Sequence, residues 1–267
     1  KVDGAGFNFK TLKASVDANI QEIALFGYNY KNIKTVGEMS RKFFNGSLTA
    51  NDPNLDMDFA GTIDFNEALP VFNFSAEIRK SDLKALHITE DSVTLQAKLD
   101  LNFAGSNIDN FDGVARMYEV SAYKDNRRLE FDSLNVSSHM VDNEKMLEFA
   151  GSEVSGFVKG QYSFLQLPDA FHLLLNKYYP SFFSAPENSI INQNFTFAFN
   201  LGEVDKLLTG FSKQFSGFND SKVNGALNTM NGGNLLLNIN IPEAGYLNYG
   251  VQDLQVKGEG NFSKVNI

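Results

Sequence analysis

The 267-residue chain carries a formal net charge of −9 and no cysteine. That acidic balance argues against a nucleic-acid partner, whose phosphates call for a basic footprint. The missing thiols exclude a disulfide framework, a thiolate zinc site and a cysteine nucleophile, and they leave the redox compartment open. Hydrophobic residues make up 43% and are led by 25 Phe, with 9 Tyr and no Trp, a choice suited to pleated, half-buried surfaces. No apolar run approaches the roughly 18 residues of a membrane span. The sequence starts Lys1-Val2-Asp3, with neither an initiator Met nor a signal-peptide core, and it reads as a segment of something longer.

Taken in order, Val16 to Lys42 supplies short apolar/polar segments, and Phe43 to Leu48 is followed by a turn at Asn51-Asp52-Pro53-Asn54. Leu55, Met57, Phe59, Gly61, Ile63 and Phe65 then alternate with Asp56, Asp58, Thr62 and Asp64, which is the period-2 signature of a strand with one apolar and one wet face. Phe72, Phe74, Ala76 and Ile78 form the next strand, ending in Ser81 to Leu86, a single helical turn with Ser81 as its cap. The longest alternation is Val93, Leu95, Ala97, Leu99, Leu101 and Phe103. It breaks at the turn-forming run Gly105 to Asn110 and resumes at Phe111 to Tyr118. Leu129 to Val136, Met146 to Phe149 and Ser155 to Phe164 read as further strands.

Helical spacing appears twice. Phe171, Leu174, Leu175, Tyr178 and Phe182 lie between Pro168 and Pro180, and Val204, Leu207, Leu208, Phe211 and Phe215 follow the same period, so helical insertions are expected near 168–183 and 203–215. Between them Phe195, Phe197, Phe199 and Leu201 alternate. The chain closes with Leu235, Leu237, Ile239 and Ile241, then Tyr249 to Asn261. Phe44-Asn45-Gly46, Phe111-Asp112-Gly113 and Val223-Asn224-Gly225 share one pattern. The stretch from Asn29-Tyr30 to Gly37-Glu38 is echoed from Asn248-Tyr249 to Gly258-Glu259. Such recurrence points to stacked β units or to common turn chemistry.

Reactive constellations are missing. His87, His139 and His172 stand far apart and lack metal-ligand spacing. Ser81-Asp82-Leu83-Lys84 matches Ser-x-x-Lys without the partner motifs of penicillin-recognising enzymes. Asp56, Asp58 and Asp64 belong to a solvated strand face, and Asp109 to Gly113 misses the register of a calcium loop. No nucleotide-binding or nucleophile-elbow motif occurs. The expectation is a protein that is not an enzyme, with no catalytic residue, metal or cofactor.

The apolar faces can be hidden in two ways. Two sheets can close on each other as a β-sandwich, or one elongated, curled sheet can keep its lining open as a trough. With strands about 4.8 Å apart, some 14 of them would give a groove on the order of 65 Å long. Its lining would be Leu55, Met57, Phe59, Ile63, Phe72, Phe74, Val93, Leu95, Leu99, Leu101, Phe103, Phe195, Phe197, Phe199, Leu235, Leu237 and Ile239.

Several segments resemble the TamB and AsmA-like bridge-type lipid-transfer family. They are Asp52 to Phe65, Phe72 to Ile78 running into Ser81 to Leu86, Gly105 to Gly113, Leu129 to Leu134, and Asn238-Ile239-Asn240-Ile241-Pro242. The resemblance implies an all-β, half-open apolar groove continuous over 1–267. It implies a periplasmic middle section of an inner-membrane-anchored protein whose other parts reach an outer-membrane BamA-like barrel. Phospholipid would be the cargo and outer-membrane biogenesis the process, with no nucleic acid involved. Two other readings are a scaffold that pairs its strand edges with outer-membrane protein clients and a closed sandwich that acts as a binding module.

Overall fold

The computed structural model describes residues 2–5, 13–124, 127–178, 180–182, 184, 192–205, 207–208, 214–230, 233–261 and 264–266. The described chain is all-β, as the alternation predicts: open antiparallel sheet, with one described α-helix. Its contacts divide into two compact units, residues 1–106 with 112–135 and 209–211, and residues 107–111 with 136–208 and 212–267.

The first unit contains β1 (Val2–Ala5), β2 (Lys13–Leu25), β3 (Tyr28–Ser40), β4 (Phe43–Asp52), β5 (Leu55–Asp64), β6 (Val71–Ser81), β7 (Val93–Ala104) and β8 (Asp112–Lys124). Each strand from β1 to β8 pairs antiparallel with the next. Val16 to Lys42 forms two 13-residue strands rather than short segments. They turn back through Phe26 and Gly27 at φ 51° and 83°, the positive-φ pair that a tight two-residue hairpin needs. β9 (Arg127–Val141) is shared between the units.

Register puts the apolar residues of β4 to β7 on one face. Phe44 pairs with Ile63, Leu48 with Phe59, Ile63 with Phe72, Phe72 with Phe103 and Phe74 with Leu101. A row of glycines crosses this face: Gly37 opposite Gly46, and Gly46 opposite Gly61. A Cβ on Gly46 would stand 2.2 Å from the Val36 carbonyl oxygen, and one on Gly61 would stand 2.3 Å from that of Asn73. The backbones approach where no side chain fits, which is how glycine lets a sheet bend.

Ser81 does not cap a helix. It is the last residue of β6 and its hydroxyl donates to the Leu95 carbonyl at 2.8 Å. Asp82 takes the capping role, its Oδ1 accepting from the Ala85 N–H at 3.0 Å. The following residues make turns rather than a helix, and Leu86 is 1% exposed. The turn reaches the start of β3, with the His87 ring edge-on to Tyr28 at 6.4 Å.

The second unit contains β10 (Glu144–Gly151), β11 (Val154–Gln161), the 3-10 turn Phe164–Gln166, α1 (Leu167–Tyr178), β12 (Asn194–Leu201), β13 (Phe215–Gly217), β14 (Ser221–Asn228), β15 (Asn234–Tyr246), β16 (Tyr249–Asn261) and β17 (Lys264–Asn266). β10 pairs with β11, β11 with β12, β12 with β14, β14 with β15, β15 with β16, and β16 with β17, all antiparallel. The first helical expectation holds in place, though Phe182 lies past the helix and is 84% exposed. The second does not extend to 215. Asp205, Leu207 and Leu208 are helical, but Phe215 starts β13 and pairs with Tyr246, and residues 209–213 lie outside the described chain. Helical spacing fails at Phe215 because β15 offers a free backbone edge there.

Candidate functional site: an open apolar face

In the first unit, Leu55, Met57, Phe59, Ile63, Phe72, Phe74, Val93, Leu95, Leu99, Leu101 and Phe103 are all half-buried. The fully buried positions of the same sheet are mostly small: Ala50, Ala76 and Ala97. Large side chains therefore flank a floor of small ones. Among the described residues of β4 to β7, none of the large apolar side chains on this face is fully buried.

Aromatic rings tie the lining together across strands. Phe44 and Phe59 have centroids 5.8 Å apart, Phe59 and Phe74 4.8 Å, and Phe72 and Phe103 4.9 Å. Such cross-strand pairs each add stability to the sheet beyond the area they bury. Phe44, Leu48, Ile78 and Met117 share the face by register and were not among the expected lining. The signal for Phe44 was its place two residues before Gly46 in the repeated motif.

The opposite face is charged and wet. A register shift between Asp56 and Met57 frees Arg79 as an extra residue on β6. Its Nε donates to Asp56 Oδ1 at 2.9 Å and its Nη1 to Asp58 Oδ2 at 2.7 Å. Those hydrogen bonds to Asp56 and Asp58 raise the guanidinium pKa, and the Arg79 hydrogen bond, followed by that from Thr49, lowers the Asp58 pKa. Asp64 accepts from the Asn66 backbone and side chain, each at 2.7 Å. These carboxylates hold structure on the solvated side, as the alternation predicts. Among the described residues no group of three or more His, Asp or Glu is placed to hold a metal ion.

One end of the apolar face is finished by a buried carboxylate. Asp52, 6% exposed, accepts from the Tyr28 hydroxyl at 2.6 Å, the Lys31 N–H at 2.8 Å and the Asn54 N–H at 2.8 Å. Both carboxylate oxygens are satisfied, so the charge is tolerated beside apolar side chains.

The second unit treats its apolar face differently. Phe195, Phe197 and Leu235 are buried in a cluster with Val158, Ala170 and Leu227, and Leu167, Phe171, Tyr162 and Phe164 pack against it. Helix α1 therefore lies over this part of the sheet, and Phe195, Phe197 and Leu235 are core rather than open lining. Phe199 and Leu237 touch the same cluster, whereas Ile239 is half-buried outside it. The helix is pinned by Asp109, whose Oδ2 accepts from the Ser163 hydroxyl at 2.7 Å and whose Oδ1 accepts from the Phe164 N–H.

The fold and the face together define an all-β open antiparallel sheet with a half-buried, aromatic-rich apolar surface in its first unit. No family model, curated protein or solved structure matches the chain. No described helix is long and apolar enough to cross a membrane.

Proposed function

We propose that the chain is a TamB/AsmA-like segment whose open apolar face shields phospholipid acyl chains, with headgroups left in water, in the periplasm between two membranes. One observation carries the reading: the lining of β4 to β7 is large and apolar, and its large side chains stay half-buried rather than closing into a core. An acyl chain laid on such a lining gains about 0.8 kcal/mol for each CH₂ removed from water. Apart from Asp52 at one end, the inward positions of β4 to β7 carry no charge, so the face has no grip for a headgroup and suits a chain that slides. A closed sandwich would require a second sheet over these residues. The function is carriage rather than chemistry, and its other partners, an inner membrane and an outer-membrane barrel, belong to this same proposal.

The test uses a photo-crosslinking phenylalanine at Phe74 or Leu101 on the lining, and at Asn73 or Asn102 on the opposite face, in cells of a diderm bacterium. Phospholipid adducts at the first pair and not at the second support the reading. Adducts at neither, or equally at both, overturn it.

A further inference from the structure

The ladder between β6 and β7 stops short of the end of β6. Ile78 opposite Ala97 is its last pair, and the two chains meet again at the single bridge between Asp82 and Thr94. Between those points β6 runs through Arg79, Lys80 and Ser81, while β7 runs through Leu95 and Gln96 alone. The mismatch comes from the neighbours on both sides. β6 takes up Arg79 as an extra residue against β5, and the register of β7 with β8 shifts between Gln96 and Lys98. Each outer partner holds its own strand, Asp56 opposite Lys80 and Ser121 opposite Gln96. The two strands therefore part where the irregularities meet.

The parting makes an opening of about 240 Å³ within the first unit. Ser81 ties it across, its hydroxyl donating to the Leu95 carbonyl at 2.8 Å. Lys80, Thr94, Gln96, Ser121, Tyr123 and Arg128 line it. By alternation Thr94 and Gln96 belong to the wet face, opposite Val93, Leu95 and Ala97. The lining offers an ammonium, a guanidinium, hydroxyls and a carboxamide, and no carboxylate is among its described residues.

The charge state of this lining departs from the rest of the wet face. Arg79, Lys98 and Arg116 each meet a carboxylate there. Among the described residues Lys80 does not. Its Nζ donates to the Pro53 carbonyl at 2.6 Å, and Asp56, opposite it in register, is engaged by Arg79. Glu130 holds one arm of the Arg128 guanidinium at 2.5 Å, and Arg128 Nε lies 3.5 Å from the Ser121 hydroxyl on the rim. Positive charge thus stands at both sides of the opening, in a chain of net charge −9.

We infer that this opening binds a phosphate ester. A tetrahedral phosphate presents oxygens in several directions, which suits donors arriving from β6, β7, β8 and β9, whereas a planar carboxylate presents only two. Arg128 supplies a planar fork and Lys80 a point charge. Thr94, Ser121, Tyr123 and Gln96 hydrogen-bond the remaining oxygens and the hydroxyls of the esterified alcohol. The same chemistry is offered by a soluble glycerol or sugar phosphate and by a phospholipid headgroup at a membrane surface. The site lies on the face away from the apolar lining, and it stands whether or not that lining carries lipid.

The experiment titrates the chain with glycerol 1-phosphate at constant ionic strength and follows its backbone amide resonances. Those of residues 80, 94–96, 121–123 and 128 move together and saturate with one Kd. Lys80→Gln and Arg128→Gln each weaken binding by at least about threefold. Lys34→Gln, which removes an exposed cation elsewhere on the same face, leaves it unchanged. Phosphatidylglycerol vesicles that broaden the same resonances, reversibly by excess glycerol 1-phosphate, support the site and identify a headgroup as its ligand. Saturation by the soluble ester without an effect of vesicles supports the site and identifies a soluble phosphate. Shifts that rise without saturating, or that chloride reproduces, overturn the inference. So does binding that survives the Lys80→Gln, Arg128→Gln double variant.

Discussion

The Tyr28 hydroxyl donates to Asp52 Oδ1 at 2.6 Å across 24 residues of sequence, joining the start of β3 to the end of β4. Burial by itself pushes the Asp52 carboxyl up, but the hydrogen bonds from Tyr28, Asn54 and Lys31 together outweigh it and hold the carboxyl below its ordinary range. A folded pKa below the unfolded one gives stability that is present above about pH 4 and is lost as pH falls through the folded value. Asp52→Asn should therefore flatten the acid limb of the stability curve below about pH 4. Asp52→Ala, which takes the acceptor from the Tyr28 hydroxyl and from the Lys31 and Asn54 N–H groups, should cost about 1 kcal/mol or more at neutral pH. Denaturant melts of the three proteins between neutral pH and pH 3 check both outcomes.

The glycine row lets neighbouring strand backbones approach where no side chain fits. Gly46→Val places a side chain where the Val36 carbonyl stands at 2.2 Å from the first added carbon. The atom in the way is backbone, so no rotamer relieves the contact. The expected loss exceeds about 1 kcal/mol, read as a drop in melting temperature. Ser47→Thr, at an exposed position on the opposite face of the same strand, should leave the melting temperature nearly unchanged.

Asp109 closes a link over 54 residues to Ser163 and on to Phe164. Asp109→Ala leaves that N–H without its partner at the start of the helical cover, at a cost of about 1–3 kcal/mol. Amide exchange should accelerate first in residues 164–173, ahead of the strands. If the strands of the second unit open together with the helix, the pinning role is wrong.

Much of the fold was legible because β structure writes its faces into the sequence at period 2. Tyr249 to Asn261 reads as one strand and is one, and the charged side of β5 emerges where Asp56 and Asp58 alternate with apolar residues. Bulges and caps were less legible. Arg79 steps out of register to meet two aspartates, and Asp82 rather than Ser81 caps its turn, because each depends on a partner strand whose position is not local. The echo between residues 29–38 and 248–259 was visible as a motif, but its true alignment, Tyr28 with Tyr249, emerged only from the pairing.

By itself the sequence determined the class of structure and the chemistry it excludes: alternation enforces strands, and the lack of thiols removes cysteine chemistry. Only the tertiary structure decided which apolar faces stay open. Phe59 and Phe74 are half-buried, while Phe195 and Phe197, in strands of the same pattern, are buried in the cluster under α1. A strand records that one of its sides is apolar. What comes to lie over that side is a long-range contact, and local periodicity carries no information about it.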